Sequence, residues 1–275
     1  MFGWWPQFLR RSPRRISERH PLHFWHIPKT AGTSARKFFA DRFPIDAVCP
    51  AGDFAGLLAL PPERANRNYS LYIGHFYAGL DRHLGKRTIK VTLLRDPVER
   101  TISHFAFIKA QADHPEHKLV CDLTIAECVR SPTTRHMMQN FQAVCLALPY
   151  GAPETTADNV LFRKAMQTLK ECAVVGTAET ADLTFSRIAE RFDLLPHTPF
   201  PPCNVTPRTE IIDEATLRLI QKATQIDREL YDFASELVTR PKWSFPSRAA
   251  IRASRAAKRT LSRLTISSRS TVSRS

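Results

Sequence analysis

The stretch HIPKTAGTS, residues 26–34, sets one lysine, one glycine and three hydroxyl side chains between an apolar run and a helix-like segment. A strand-to-helix turn of this kind exposes backbone N–H groups at a helix N-terminus, where anions bind. Gly32 lets the backbone approach a phosphate closely, and Thr30, Thr33 and Ser34 offer hydroxyls around Ala31. Lys29 can project a mobile cation over the bound group. Helix capping alone explains the Gly, Ser and Thr but gives no reason for the lysine. A Walker A loop places glycine immediately before lysine and Ser/Thr, for terminal phosphates and magnesium. Here the lysine leads the loop, and GK[ST] is absent from the chain. The ligand is expected to carry phosphate without being held in the Walker A manner.

Such a loop needs a sheet behind it. Apolar runs at 22–27, 70–74, 89–94 and 172–176 read as buried strands, and 33–43, 180–192 and 213–239 as helices. The last of these carries Leu217, Ile220, Ile226, Leu230, Phe233 and Leu237 at helical spacing. After the third strand, Val98, Ile102, Phe105 and Ile108 mark another helix. Asp96 is placed as its N-cap, Pro97 in its first turn and Glu99 in a capping box. A strand ending in Asp also has the form of a magnesium-binding Walker B element, but the capping role accounts for Asp96 more simply. Strands alternating with helices predict an α/β protein: a single P-loop-like domain with a central parallel sheet flanked by helices. Ligands of such sheets bind at the carboxyl ends of the strands. Residues 44–69 and 111–160, rich in Pro, Asp, Asn and His, are expected to be irregular substrate loops or lids.

The net charge of +14 lies mostly in the tails. Residues 247–275 hold eight Lys/Arg and no acid, residues 1–20 hold +4, and the remaining 21–246 only +2. The domain is therefore placed at 21–246, between a basic N-terminal extension (1–20) and a basic, Ser/Arg-rich tail (247–275) whose composition predicts disorder in isolation. No sequence-wide basic patch for specific nucleic-acid binding results. The tail offers at most a peripheral, salt-sensitive contact with an anionic membrane surface. No run approaches the ~20 apolar residues of a membrane span. The six cysteines show neither CxxC pairing nor zinc spacing, so reduced thiols and a cytoplasmic location are expected.

HIPKTAGTS resembles the 5′-phosphosulfate loop of sulfotransferases, in the form carried by the carbohydrate-type heparan sulfate 2-O-sulfotransferase-like family. That resemblance implies 3′-phosphoadenosine 5′-phosphosulfate (PAPS) as sulfuryl donor, with residues 29–34 as its loop. It also implies an arginine at a later strand end and a serine on the next helix, gripping the 3′-phosphate. TLLRDPVERTISHF supplies both, as Arg95 and Ser103. YIGHFYAG (72–79) is similar to the family strand that ends in a catalytic histidine, which makes His75 the expected base. VVGTAETADLTFSRIAERF and NVTP (204–207) are similar to later elements, so the likeness spans roughly residues 22–240 and fades in 44–69 and 111–160.

Sulfuryl transfer needs a proton acceptor for the attacking hydroxyl and stabilisation of the leaving phosphate; it needs no metal. A histidine with a pKa near neutrality suits the first task and Lys29 the second. Among the other histidines, His26 is expected to pack or orient the turn and His104 to decorate its helix, while His114, His117 and His136 fall in the expected acceptor loops. Arg135 and His136 are candidate contacts for the acceptor, a carbohydrate such as a polysaccharide or glycolipid, and Arg135 and Arg208 are candidates for either an anionic acceptor or the 3′-phosphate. Two alternatives remain open on sequence: a P-loop phosphoryl-transfer enzyme of kinase type, against which the missing GK[ST] counts, and a non-catalytic polyanion or membrane-surface binder working through the tail.

Overall fold

Four short apolar runs form a parallel sheet, β1 (Leu22–Trp25), β2 (Leu71–Gly74), β3 (Ile89–Leu94) and β4 (Val174–Thr177), in the spatial order β2-β1-β3-β4. The computed structural model describes residues 15–152, 156–199 and 212–239. Nearly every strand residue is buried, as expected of strands covered on both faces. Alternation along β1 sends Phe24 to one face, where its ring meets Phe39 of helix α1 (Gly32–Ala40). Phe38 of the same helix stacks on Phe185 of α11 (Ala181–Phe192). On the other face Trp25 donates its indole N–H to the Cys145 carbonyl of α9 (Phe141–Ala147).

The chain between β1 and β2, expected to be an irregular loop, is shaped and packed. It holds α2 (Phe54–Leu58) and α3 (Pro62–Ala65), and Cys49, Ala51, Leu57 and Tyr69 bury against Tyr72, Phe76 and Leu80. Residues 48–53 run beside β2, with Cys49 N–H donating to Leu71 O (2.8 Å) and His75 N–H to Gly52 O (2.9 Å). The sheet edge is thereby covered. Gly74 is required here, because a Cβ would lie 2.2 Å from Gly52 O. After β2 comes α4 (Leu80–Leu84), and after β3 comes α5 (Pro97–Ala110).

The second stretch, 111–160, is likewise mostly helical: α6 (His117–Val120), α7 (Ile125–Arg130), α8 (Arg135–Met138), α9 and the start of α10 (Asp158–Glu171). Val120, Ile125, Cys128, Val129, Met137 and Met138 bury against Ile102, Phe105 and Ile108 of α5 and against Ile220. Helices of one or two turns carry too few residues for a period to be read, so only packing reveals them. The helix expected over 213–239 is two, α12 (Glu214–Ala223) and α13 (Gln225–Thr239). The break is Thr224, whose hydroxyl turns back to Ile220 O (2.8 Å) while its N–H bonds Gln221 O.

Cys49, Cys128, Cys145 and Cys172 are buried and Cys121 is half-buried, and none of these five forms a disulfide among the described residues. Cys203, Arg208, NVTP and the two charged tails beyond residues 15 and 239 lie outside the described residues. Among the described residues no helix is long and apolar enough to cross a membrane.

Candidate nucleotide and acceptor site

The strand order reverses between β1 and β3, and the crevice at such a point is where open α/β sheets bind ligands. The loop after β1 and Arg95, the residue after β3, face each other there. The Arg95 guanidinium donates to Lys29 O (3.3 Å), so the loop and the arginine are joined directly.

The loop backbone is unusual. Lys29 (φ 70°) and Ala31 (φ 64°) both adopt the left-handed conformation that non-glycine residues rarely accept. Such strain collects where structure serves a ligand. Ala31 is the N-cap of α1 and provides no capping side chain, and the first turn has no acid. The N-terminus of α1 therefore keeps its partial positive charge uncompensated. By contrast, α5 is capped: Asp96 Oδ1 accepts from the N–H groups of Val98 and Glu99, each at 3.0 Å. The full capping box expected there is not formed, because Asp96 N–H donates to Glu179 instead (3.1 Å) and Glu99 turns to Arg95 (3.9 Å). Asp96 is also paired with Arg228. Capping and ion pairing account for this carboxylate without a metal-binding role.

Lys29 Nζ lies 4.2 Å from the centre of the Phe107 ring. Burial, followed by repulsion from Arg95, pulls its pKa below the usual lysine range. Lys29 and Arg95, joined through Lys29 O and with Glu99 3.9 Å from the guanidinium, form a basic pair suited to an anion. Ser103 lies one turn beyond Glu99 on the same stripe of α5, with Phe107 a further turn on, so Arg95, Ser103 and Lys29 share one side of the crevice. The hydroxyl of Ser103 makes no hydrogen bond among the described residues. Phe107 was not singled out in the sequence, although its i+4 relation to Ser103 marked it.

Two loop residues take other tasks than expected. Thr30 is fully buried, and both its hydroxyl (2.8 Å) and its N–H (3.3 Å) bond Ile27 O, so it fastens the turn from within. Gly32 makes room for His26, since a Cβ there would fall 2.0 Å from the imidazole. Thr33 is exposed and Ser34 half-buried at the start of α1.

His75 joins this assembly through its ring. Its Nδ1–H donates to His26 O (2.8 Å), and the two imidazoles sit 4.4 Å apart. The carbonyl fixes the tautomer, leaving Nε2 with the lone pair a general base requires. Burial lowers the pKa of His75 below 6.5, against the opposing pull of that hydrogen bond. The ionisation near neutrality expected from sequence is thus displaced downward, and the ring is neutral at pH 7. His26 itself is a packing residue, as its position suggested, with its pKa driven well down by burial.

The remaining histidines separate clearly. His104 is not a surface decoration: it is buried, its Nδ1 3.1 Å from Arg100 and 3.3 Å from Met137 O. His117 Nδ1 donates to Ile108 O (3.0 Å). His114 stands edge-on to Phe107 and accepts from Glu116 N–H (3.2 Å). His136, expected to meet the acceptor, is engaged instead with Glu116 (3.5 Å), while Arg135 is exposed at the start of α8. Beyond His75, Tyr77 (φ 51°) is a third strained residue, and its ring meets Tyr150, which stacks with Phe54.

Sequence comparison finds similarity to curated sulfotransferases. The chain is 24% identical over 289 residues to heparan-sulfate 6-O-sulfotransferase 2 of Gallus gallus, covering 83% of this chain and 69% of that protein. It is 24% identical over 267 residues to heparan-sulfate 6-O-sulfotransferase 1 of Cricetulus griseus (78% of this chain, 66% of that protein) and 23% identical to the Homo sapiens protein of the same name (78% and 64%). The likeness is to carbohydrate sulfotransferases, and these relatives carry the 6-O rather than the expected 2-O designation. The chain spans about two-thirds of the length of the curated relatives it matches. No family model matches it. Nothing in these relatives supports the cytoplasmic location expected from the thiols.

Proposed function

We propose that the chain is a PAPS-dependent sulfotransferase acting on a hydroxyl of a carbohydrate acceptor. One observation carries the reading: Lys29 and Arg95 are held together at the strand-order reversal, beside the uncapped N-terminus of α1, with a tautomer-fixed histidine anchored to the same loop. The first three suit a nucleotide bearing two separated phosphates, and the histidine suits deprotonation of a hydroxyl.

PAPS supplies the sulfuryl group when bound. Arg95 and Ser103 would hold its 3′-phosphate, and residues 29–34 its 5′ side. His75 Nε2 takes the proton of the acceptor hydroxyl as the new S–O bond forms. Lys29 and the N–H groups of α1 meet the charge left on the 5′-phosphate as the bridging S–O bond breaks. The aromatic group of Phe54, Tyr77 and the half-exposed Tyr150 lies on the His75 side and offers flat apolar faces to a sugar ring. The relatives' names make a 6-hydroxyl of a heparan-type polysaccharide the first acceptor to assay.

The test is transfer of labelled sulfate from PAPS to desulfated heparan sulfate, scored by position of the label. Transfer that disappears in Lys29→Ala and His75→Ala supports the reading. Binding of ATP–magnesium in preference to adenosine 3′,5′-bisphosphate, with no transfer to any glycan, overturns it.

A further inference from the structure

The last register pair of the β3–β4 ladder is Leu94 with Thr177, so Arg95 lies just beyond it. A side chain takes over at that point. Arg95 N–H donates to Gln142 Oε1 (2.9 Å) and Gln142 Nε2 donates back to Arg95 O (2.9 Å), so one amide pairs both backbone groups as a neighbouring strand would. Gln142 is wholly buried.

Gln142 is itself held from behind. Its N–H and that of Ala143 donate to the two carboxylate oxygens of Asp227 (3.1 and 2.8 Å), a fully buried residue of α13. The exchange is reciprocal, because Asn140 Oδ1 accepts from the N–H groups of Ile226 and Asp227 (3.0 and 3.4 Å). Each helix caps the other. The adjacent Arg228 reaches Asp96, the residue after Arg95. A polar network with every link made is rigid, and in a dry interior each broken link leaves an unpaired group.

We infer that Gln142 is a positioning residue that sets the backbone of Arg95, and hence the direction of its guanidinium, for reading the 3′-phosphate. This rests on the nucleotide reading above and adds a residue that touches neither phosphate nor sugar. A merely structural Gln142 would weaken all ligands together with the fold. A positioning Gln142 changes the preference for one phosphate and spares the rest.

The full chain is titrated with adenosine 3′,5′-bisphosphate and with AMP, in the wild type and in Arg95→Ala, Gln142→Met and Gln142→Glu. Met removes both hydrogen bonds at similar volume, and Glu keeps the acceptor for Arg95 N–H but sets an oxygen against Arg95 O. The expected result is a wild-type preference for the bisphosphate that falls at least tenfold in Gln142→Met, towards the value of Arg95→Ala, with AMP affinity unchanged within twofold. The double variant Arg95→Ala/Gln142→Met should be no worse than Arg95→Ala alone, since one effect acts through the other. If Gln142→Met does not fold, Gln142→Glu decides by the same ratio. A preference lost in Arg95→Ala but kept in the folded Gln142 variant overturns the inference alone. A wild type without the preference overturns the assignment of the site, and the inference with it.

Discussion

His23 provides a quantitative test of how the strand that carries the loop is built. It sits in the inner strand β1 with its ring stacked on Trp25 at 5.1 Å and edge-on to Phe76, fully buried, and neither ring nitrogen has a hydrogen-bond partner among the described residues. Burial lowers its pKa from 6.5 to about 3, with Lys90 reinforcing and Asp81 opposing. The unfolded chain therefore binds a proton that the folded one refuses. The stability this residue permits is present above pH 6.5 and is lost as pH falls from there towards 3. At pH 5 the loss from His23 alone is about 2 kcal/mol, at ~1.4 kcal/mol per pH unit once protonation in the unfolded state is complete. His26 and His104 are lowered by burial in the same sense, so the three act together against a total stability on the order of 5–15 kcal/mol. Urea unfolding at pH 7 and pH 5 reads the difference. His23→Leu removes two unpaired nitrogens at similar volume, so it should be at least as stable as the wild type at pH 7 and should lose about 2 kcal/mol less on going to pH 5. Equal losses in the wild type and the variant would refute the reasoning.

His75→Ala should lower the turnover number about 10²–10⁴-fold with little change in nucleotide affinity. The wild-type rate should rise with pH through an ionisation below 6.5, because burial depresses His75, and be level by pH 7; the variant should lack that limb in a pH–rate profile. Lys29→Ala should reduce kcat more than nucleotide binding, since its charge is assigned to the leaving phosphate, and stopped assays with binding by calorimetry separate the two. Gly32→Ala drives a methyl into the His26 ring, so thermal melts should show a loss of about 1–3 kcal/mol, accompanied by loss of transfer.

The parallel sheet was legible because its strands are short, mostly apolar runs followed by turn residues, and the run at 89–94 coincides with β3. That Lys29, Arg95 and His75 share one edge of the sheet was legible for a related reason: each follows a strand, and all the strands run the same way. What escaped was whatever depends on two distant segments at once. Short helices such as α6 and α8 have no readable period and exist because α5 and α12 bury them. Gln142 lies 47 residues from Arg95 and Asp227 lies 85 from Gln142, and no local pattern relates them. At Thr30 and His136, residue type and neighbourhood suggest ligand roles but give no sign of the contacts to Ile27 and Glu116.

The order of residues in the loop, lysine before glycine, follows from these contacts. In this turn the glycine is not the residue that bends: the left-handed positions are Lys29 and Ala31, at a cost on the order of 1 kcal/mol each. Gly32 instead yields its side-chain space to the His26 ring. The carbonyl of His26 then fixes His75, so the loop and the proposed base are parts of one packed unit. Arg95 is tied to the same loop through Lys29 O and to the C-terminal helices through Gln142 and Asp227. A rearranged loop with glycine ahead of lysine would keep the composition but lose the room for His26. His75 and the two cations would then no longer be set by one another, and the proposed in-line transfer would depend on that mutual placement.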